Sequence, residues 1–315
     1  MKAAYLAKHG GPEELLIGEV AQPLPGRDQV LVRVYATAVT PTEFNWAPTF
    51  NNRNGEPRSF PIIPSHEFSG VITALGDAAK GFRIGDAVYG LNDWYADGAA
   101  AEYCVAPAAA VAPAPKALDH TKAAVVPISA LTAWQGLFER ARLKVEERVL
   151  IHGGAGGVGV FAVQLAHSRG AHVIATASKH NLEFVRSLGA DEVIDHRATR
   201  FEEVAHDMDV VFDAVGGETL DRSWCVLKPG GRLVTIAAQS EAFSEPRVRS
   251  AFFIVEPNQG QLAEISKLLD SGRIRPFVEA VFGLEQAREA YARAKRGGMR
   301  GKVALLVKNG PDSRP

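Results

Sequence analysis

Residues 148–169 narrow the choice of fold more than any other stretch of the chain. Arg148-Val149-Leu150-Ile151-His152 is a short apolar run of the kind buried on both faces of a parallel sheet. It runs directly into Gly153-Gly154-Ala155-Gly156-Gly157-Val158-Gly159, in which Gly154, Gly156 and Gly159 satisfy G-x-G-x-x-G. Val158, Phe161, Ala162, Leu165 and Ala166 then recur at helical spacing. Glycine clusters alone are common in turns, but strand, glycine turn and helix in this order argue a dinucleotide site. The early glycines permit a tight turn and close backbone approach to a pyrophosphate, and the last lets the helix pack on its strand. The helix N-terminus offers free N–H groups and the positive end of its dipole to the phosphates.

The rest of the chain divides around this segment. Residues 1–120 read as mostly β, with strands over Val30–Ala36, Phe68–Gly76 and Ala87–Tyr89 bounded by Gly and Pro, a spacing that suggests a small barrel. Residues 107–118 (PAAAVAPAPKAL) read as a connection between domains. A helical stretch is expected over Ala123–Leu143. Strands at His172–Ala177, Glu192–Ile194, Asp209–Phe212 and Arg232–Ile236 then alternate with helices at Phe161–Arg169, Asn181–Leu188 and Thr219–Leu227, the pattern of a doubly wound α/β domain. Val303–Val307 reads as a strand without a following helix, returning to the first domain.

Bulk properties exclude several function classes. A length of 315 residues suits about two domains at ~150 residues each. Lys and Arg total 35 against 36 Asp and Glu, a net charge of -1, which gives no electrostatic footprint for nucleic acid or an acidic membrane. Cys104 and Cys225, the only cysteines, are too few for a disulfide framework or a four-cysteine zinc lobe. The N-terminal residues lack the apolar core of a signal peptide, and no apolar run reaches the ~18 residues of a membrane span. A cytoplasmic protein with a small-molecule substrate is therefore expected, with no nucleic-acid or membrane partner.

The residues after the second strand of the α/β domain bear on which dinucleotide is held. An NAD site usually carries an acid there, on the ribose 2′-OH. Here Ser178-Lys179-His180-Asn181 follow Ala177, and no acid appears before Glu183. A hydroxyl, a cation and an amide suit a 2′-phosphate, with Lys179 supplying charge-assisted bonds, so NADPH is expected. Ser178 also reads as a helix N-cap.

Further segments carry a resemblance. Asp209–Gly217 (DVVFDAVGG), Leu227–Val234 (LKPGGRLV), Pro64–Gly70 (PSHEFSG), Gly81–Gly90 (GFRIGDAVYG) and Gly301-Lys302-Val303 join the glycine loop in resembling the medium-chain dehydrogenase/reductase superfamily, within it the zinc-independent quinone oxidoreductase-like branch. The likeness spans nearly the whole chain. It implies a GroES-like β-barrel catalytic domain (residues 1–120 and 275–315) and a Rossmann doubly wound parallel-sheet domain (121–274) that binds NADPH, with the active site between them. A homodimer extending the Rossmann sheet near Arg232–Ile236 is implied as well.

The same resemblance bears on metal and chemistry. The position matching a zinc-ligating Cys of the zinc alcohol dehydrogenases is Thr40, in Thr40-Pro41-Thr42-Glu43, closer to the Asn-Pro-x-Asp of the zinc-free branch. His66-Glu67 survives, but one His and one Glu do not make a zinc cage. His66 is expected to be a hydrogen-bonded structural residue and Cys104 a buried strand residue. Without a metal, hydride transfer suits a quinone or α,β-unsaturated carbonyl, whose own conjugation spreads the developing charge, whereas a simple alcohol–ketone exchange normally needs zinc or a Tyr–Lys pair.

Matching positions imply cofactor contacts at Thr40, Thr132, Gly154, Ala155, Gly156, Gly157, Val158, Gly159, Ser178, Lys179, His196, Val215, Gly216, Ala237, Ala238, Phe253, Val255 and Lys302. Trp46, Phe50, Asn92, Trp94, Tyr95 and Phe252 are expected to wall a substrate pocket for a small electrophile. The Tyr95 hydroxyl is a candidate proton donor; plain packing at the barrel rim explains these aromatics equally well. The polar segment Phe50–Arg58 reads as a loop over the cleft, with Arg53 and Arg58 solvated. Other readings of the chain are an alcohol dehydrogenase, an enoyl-thioester reductase, or a non-catalytic NADPH-binding protein.

Overall fold

A computed structural model describes residues 1–237 and 245–308. The N-terminal part opens with β1 (Lys2–Tyr5) and β2 (Leu16–Glu19), paired antiparallel. β3 (Gln29–Ala38) follows, a ten-residue strand rich in Val and Ala. Then come β4 (Glu67–Leu75), β5 (Ala87–Leu91), β6 (Tyr103–Pro107) and β7 (Val111–Pro113). β3 is the hub, pairing antiparallel with both β4 and β6.

The expected connection at 107–118 is not a linker. It holds the end of β6 and all of β7, which pairs with β5. β7 lies at the end of the sheet order, where alanine packs closely and proline's missing N–H leaves no ladder bond unmade. The single helix expected over Ala123–Leu143 is also interrupted. α1 (His120–Ala124) stops, α2 (Pro127–Trp134) starts afresh on Pro127, and a π-helical turn spans Gln135–Arg140. Proline has no N–H to continue a helix but suits its first turn.

The second sheet is parallel. β8 (Arg148–His152), β9 (His172–Ala177), β10 (Glu192–Asp195), β11 (Met208–Asp213) and β12 (Leu227–Thr235) lie in the order β10-β9-β8-β11-β12. α3 (Gly159–Ser168) joins β8 to β9. The order reverses between β8 and β11, the crevice where ligands of open α/β sheets bind. The sheet core is built from fully buried Val149, Ile151, Val160, Ala162, Val173, Val210 and Phe212.

The chain then returns. β13 (Val278–Gly283) pairs parallel with β14 (Lys302–Leu306), and β14 pairs antiparallel with β3, so the last strand completes the first sheet. Gly301, just before β14, bridges to Gly156, and its N–H donates to Ala155 O at 2.9 Å. The return thus stitches the antiparallel sheet to the glycine loop of the parallel one. Among the described residues no helix is long and apolar enough to cross a membrane.

Candidate active site

The glycine loop leaves β8 with Gly153 at φ +77°, a left-handed conformation that side chains rarely adopt. A Cβ on Gly159 would overlap Gly153 O, so only glycine lets α3 start this close to its strand. A buried polar network fixes the turn from below. Gly153 N–H donates to Thr176 Oγ1 at 3.2 Å, and Thr176 Oγ1 also lies 3.3 Å from His152 Nδ1. His152 Nε2 lies 3.0 Å from Ser223 Oγ. Burial pushes the fully enclosed His152 down to about 4, so it is neutral at physiological pH. Across the switch point, buried Asp213 accepts from Val215 N and Gly216 N at 3.0 Å and from Thr235 Oγ1 at 2.7 Å. Val215, 49 % exposed, stands over Gly153. Gly154–Gly159, Val215 and Gly216 therefore share one crevice, at a helix N-terminus whose free backbone N–H groups can receive an anion. Ala237 is buried, its N–H donating to Thr235 Oγ1 at 3.2 Å; Ala238 lies outside the described residues.

At the end of β9, Ser178 is half-buried and Lys179 is exposed. Ser178 precedes a helical turn, but its hydroxyl makes no cap bond and lies 3.4 Å from His180 Nε2. His196 is exposed beyond β10, with its N–H donating to Ala177 O at 3.2 Å. Arg300 joins these residues, although no local motif marks it. Its guanidinium donates to Asn181 Oδ1 and His180 O, both at 2.8 Å, and so brings a second cation to the loop that carries Lys179. Its signal was the basic run Arg293–Lys302, whose fold partner only the return of β14 reveals.

At the other end, Lys302 runs under the glycine loop. A Cβ on Gly157 would lie 2.8 Å from Lys302 Cγ and 3.3 Å from Ser129 Oγ. The Lys302 ammonium pairs with Glu67 Oε1 and donates to Thr40 Oγ1 at 3.2 Å. Ile128 N–H donates to Glu67 Oε2 at 2.8 Å. Burial raises the Glu67 pKa above the ordinary carboxylate value, while Lys302 and the Ile128 N–H favour the charged form. Nearby Glu43 accepts from Tyr291 OH and, at 2.8 Å, from Ser65 N–H; burial pushes its carboxyl up to about 7. Thr132 points its hydroxyl back to Ile128 O at 2.6 Å, inside its own helix.

The expected pocket residues fall into two groups. Trp46 and Trp94 meet edge-to-face at 5.2 Å, and Trp94 lies 5.3 Å from the ring of His66. Trp94 Nε1 donates to Val255 O at 3.3 Å, which ties this cluster to the segment holding Phe252, Phe253 and Val255. Asn92 is fully buried behind it, donating to Asp97 O at 2.9 Å. Phe50 instead stacks on His9 at 3.9 Å, and Tyr95 lies beneath the Arg53 guanidinium at 4.8 Å. His66 is buried against Asn92 and the Asp93 backbone, with Nδ1 lacking a partner, and burial lowers it to about 4. One expectation needs correction. Arg58 is not solvated. Its loop doubles back through an Asn51–Pro57 bridge, and the half-buried guanidinium donates to Thr49 O and Asp97.

Comparison with known proteins decides the family. Residues 26–116 match the Alcohol dehydrogenase GroES-like domain, and residues 188–305 match the Zinc-binding dehydrogenase family. The 2-methylene-furan-3-one reductase of Solanum lycopersicum is 34% identical over 317 residues, covering 97% of this chain and 79% of that protein. The chain belongs to the medium-chain dehydrogenase/reductase superfamily. It is also 33% identical to the NADPH-dependent alkenal/one oxidoreductase, chloroplastic, of Arabidopsis thaliana, covering 97% of this chain and 79% of that protein. The quinone oxidoreductase structure from Coxiella burnetii superposes with a TM-score of 0.87 at 29% identity, covering 98% of this chain and 99% of that one. As a superfamily member the chain has a GroES-like N-terminal domain and a Rossmann domain, and it is an oxidoreductase that uses a nicotinamide cofactor.

Proposed function

We propose that this protein is an NADPH-dependent, zinc-independent reductase of quinones or α,β-unsaturated carbonyls. The observation that carries the reading is the joining of an intact dinucleotide cradle to a cleft end poor in metal donors. Thr40 stands at the ligand position, and both Glu67 oxygens are engaged by Lys302 and Ile128. Among the described residues no three His, Cys, Asp or Glu side chains are grouped to hold a metal ion, and zinc needs three or four ligands. Ser178, Lys179 and neighbouring Arg300 support a 2′-phosphate, and the glycine loop with Val215 and Gly216 supports the pyrophosphate and nicotinamide. When bound, the dihydronicotinamide supplies hydride. The chain's part is to orient the acceptor and stabilise the charge that appears on its oxygen. Trp46 and Trp94 offer flat apolar faces to a planar conjugated acceptor.

The names of the tomato and Arabidopsis relatives support an activated alkene as substrate. The test is oxidation of NADPH and, separately, NADH by chelator-treated protein, with 1,4-benzoquinone, 9,10-phenanthrenequinone and a short enal as acceptors. NADPH-selective turnover that survives chelation is expected. Turnover that needs added zinc would overturn the metal-free reading, and NADH preference would overturn the 2′-phosphate assignment. We further propose boundaries near 120 and 275, supported by the pairing of β14 with β3, a cytoplasmic location, and a homodimer formed through the β12 edge.

A further inference from the structure

The contacts of Lys302 have a consequence for Thr40. The Lys302 ammonium is fixed by Glu67, and one of its N–H groups donates to Thr40 Oγ1 at 3.2 Å. Lys302 is 7% exposed and Glu67 fully buried, so water screens this charge weakly. The Thr40 oxygen accepts from the cation, so its own hydrogen is turned elsewhere, and it has no acceptor among the described residues. Thr40 itself is half-buried, at the meeting point of β3, β4, α2, β14 and the glycine loop. A hydroxyl that accepts from a cation is a strengthened donor, because hydrogen bonds in a chain polarise one another.

We infer that Thr40 is the catalytic donor to the acceptor's carbonyl oxygen, with Lys302 as the residue that polarises it and Glu67 as the anchor that holds Lys302. The inference rests on the reductase reading above. Once hydride is added at the β-carbon of an enone, the alkene pair moves toward the α-carbon and the carbonyl pair onto oxygen, giving an enolate. The Thr40 O–H hydrogen bond to that oxygen strengthens as the charge grows, a preorganised donor aimed where charge develops. One proton from water then reaches the α-carbon, the carbonyl re-forms, and the net addition is one hydride and one proton. The charge of Lys302 is spent on stabilising the oxyanion, and the lysine is unchanged at the end.

The test uses 4-nitrophenol, whose phenolate imitates an enolate oxygen, titrated into protein saturated with NADP⁺ and followed by its absorption band. Thr40→Val keeps the shape and removes the hydroxyl. It should weaken phenolate binding roughly ten- to hundredfold, the weight of one hydrogen bond to a charged oxygen, and saturating NADP⁺ in both proteins keeps any change in cofactor affinity out of the comparison. Thr40→Ser should restore most of the binding. Replacing the ion pair together, Lys302→Met with Glu67→Gln, avoids a buried unpaired charge and should raise the pKa of the bound phenol. Phenolate affinity that is the same in Thr40→Val and wild type would overturn the inference. So would wild-type protein that reduces enones but binds no phenolate. If no quinone or enone is turned over while the phenolate pattern holds, the substrate reading fails and Thr40's catalytic role with it, while its hydrogen bond to a bound oxyanion stands.

Discussion

Glu43 gives a pH dependence whose sign and size follow from its surroundings. It is 1% exposed, faces Tyr291 from the late helix Ala287–Lys295 and Ser65 from the turn before β4, and feels Lys302 from β14. Burial, the largest influence, raises its pKa from 4.5 to about 7 against the opposing pull of these partners. A carboxyl raised on folding favours the folded state fully below the unfolded value and loses that contribution as pH climbs through the folded value. The separation is about 2.5 pH units at ~1.36 kcal/mol each, so about 3 kcal/mol is lost between pH 4.5 and pH 8. Glu43→Gln cannot titrate. At low pH it should match the wild type to within about 1 kcal/mol, because the protonated carboxyl and the amide each present one accepting oxygen to Ser65 N–H and one donating group to the Tyr291 hydroxyl, which can accept. As pH rises, Glu43→Gln should gain about 3 kcal/mol on the wild type. Urea midpoints of the two proteins at intervals from pH 4.5 to 8 measure this directly, since other titrating groups cancel in the difference. With a slope of ~3 kcal/mol per molar, the relative midpoint should move by about 1 M. A midpoint difference that stays constant across this range would refute the burial argument for Glu43.

Other outcomes follow from the same geometry. Lys179→Ala should weaken NADPH binding about tenfold, more at low salt, and leave NADH binding alone, as calorimetric titration would show. Gly159→Ala places a methyl group against Gly153 O and should abolish dinucleotide binding and lower the melting temperature; normal NADPH affinity would contradict the packing described. His152 has its pKa depressed to about 4 by burial, so stability should fall as pH drops from 6.5 toward 4, by up to about 3 kcal/mol. His152→Asn should flatten that acid limb in urea unfolding, whereas an unchanged slope would place the proton uptake elsewhere.

Local pattern made the nucleotide half legible. β8 and β9 run over the residues expected, because an apolar run closed by glycine or by a polar turn has few other uses. The signals that misled were also local. The Ala/Pro run at 107–118 looked like a linker because proline discourages strands, yet on an edge strand it breaks no ladder bond. Pro127 sat inside an apparent helix and divided it. What no local pattern carries is contact across long separations. Lys302 meets Thr40 and Glu67 across more than 200 residues, and Arg300 meets Asn181 only because β14 returns past the glycine loop. Glycine spacing therefore marked the tight turn between β8 and α3, while the charged group beside Thr40 emerged from topology.

The most direct test of the account is the product formed from a short enal and NADPH by chelator-treated protein, separated by gas chromatography. Reduction through a conjugated oxyanion predicts the saturated aldehyde, with the carbonyl intact. An allylic alcohol as the main product would mean hydride reaches the carbonyl carbon, and would contradict the metal-free enone chemistry proposed for this site.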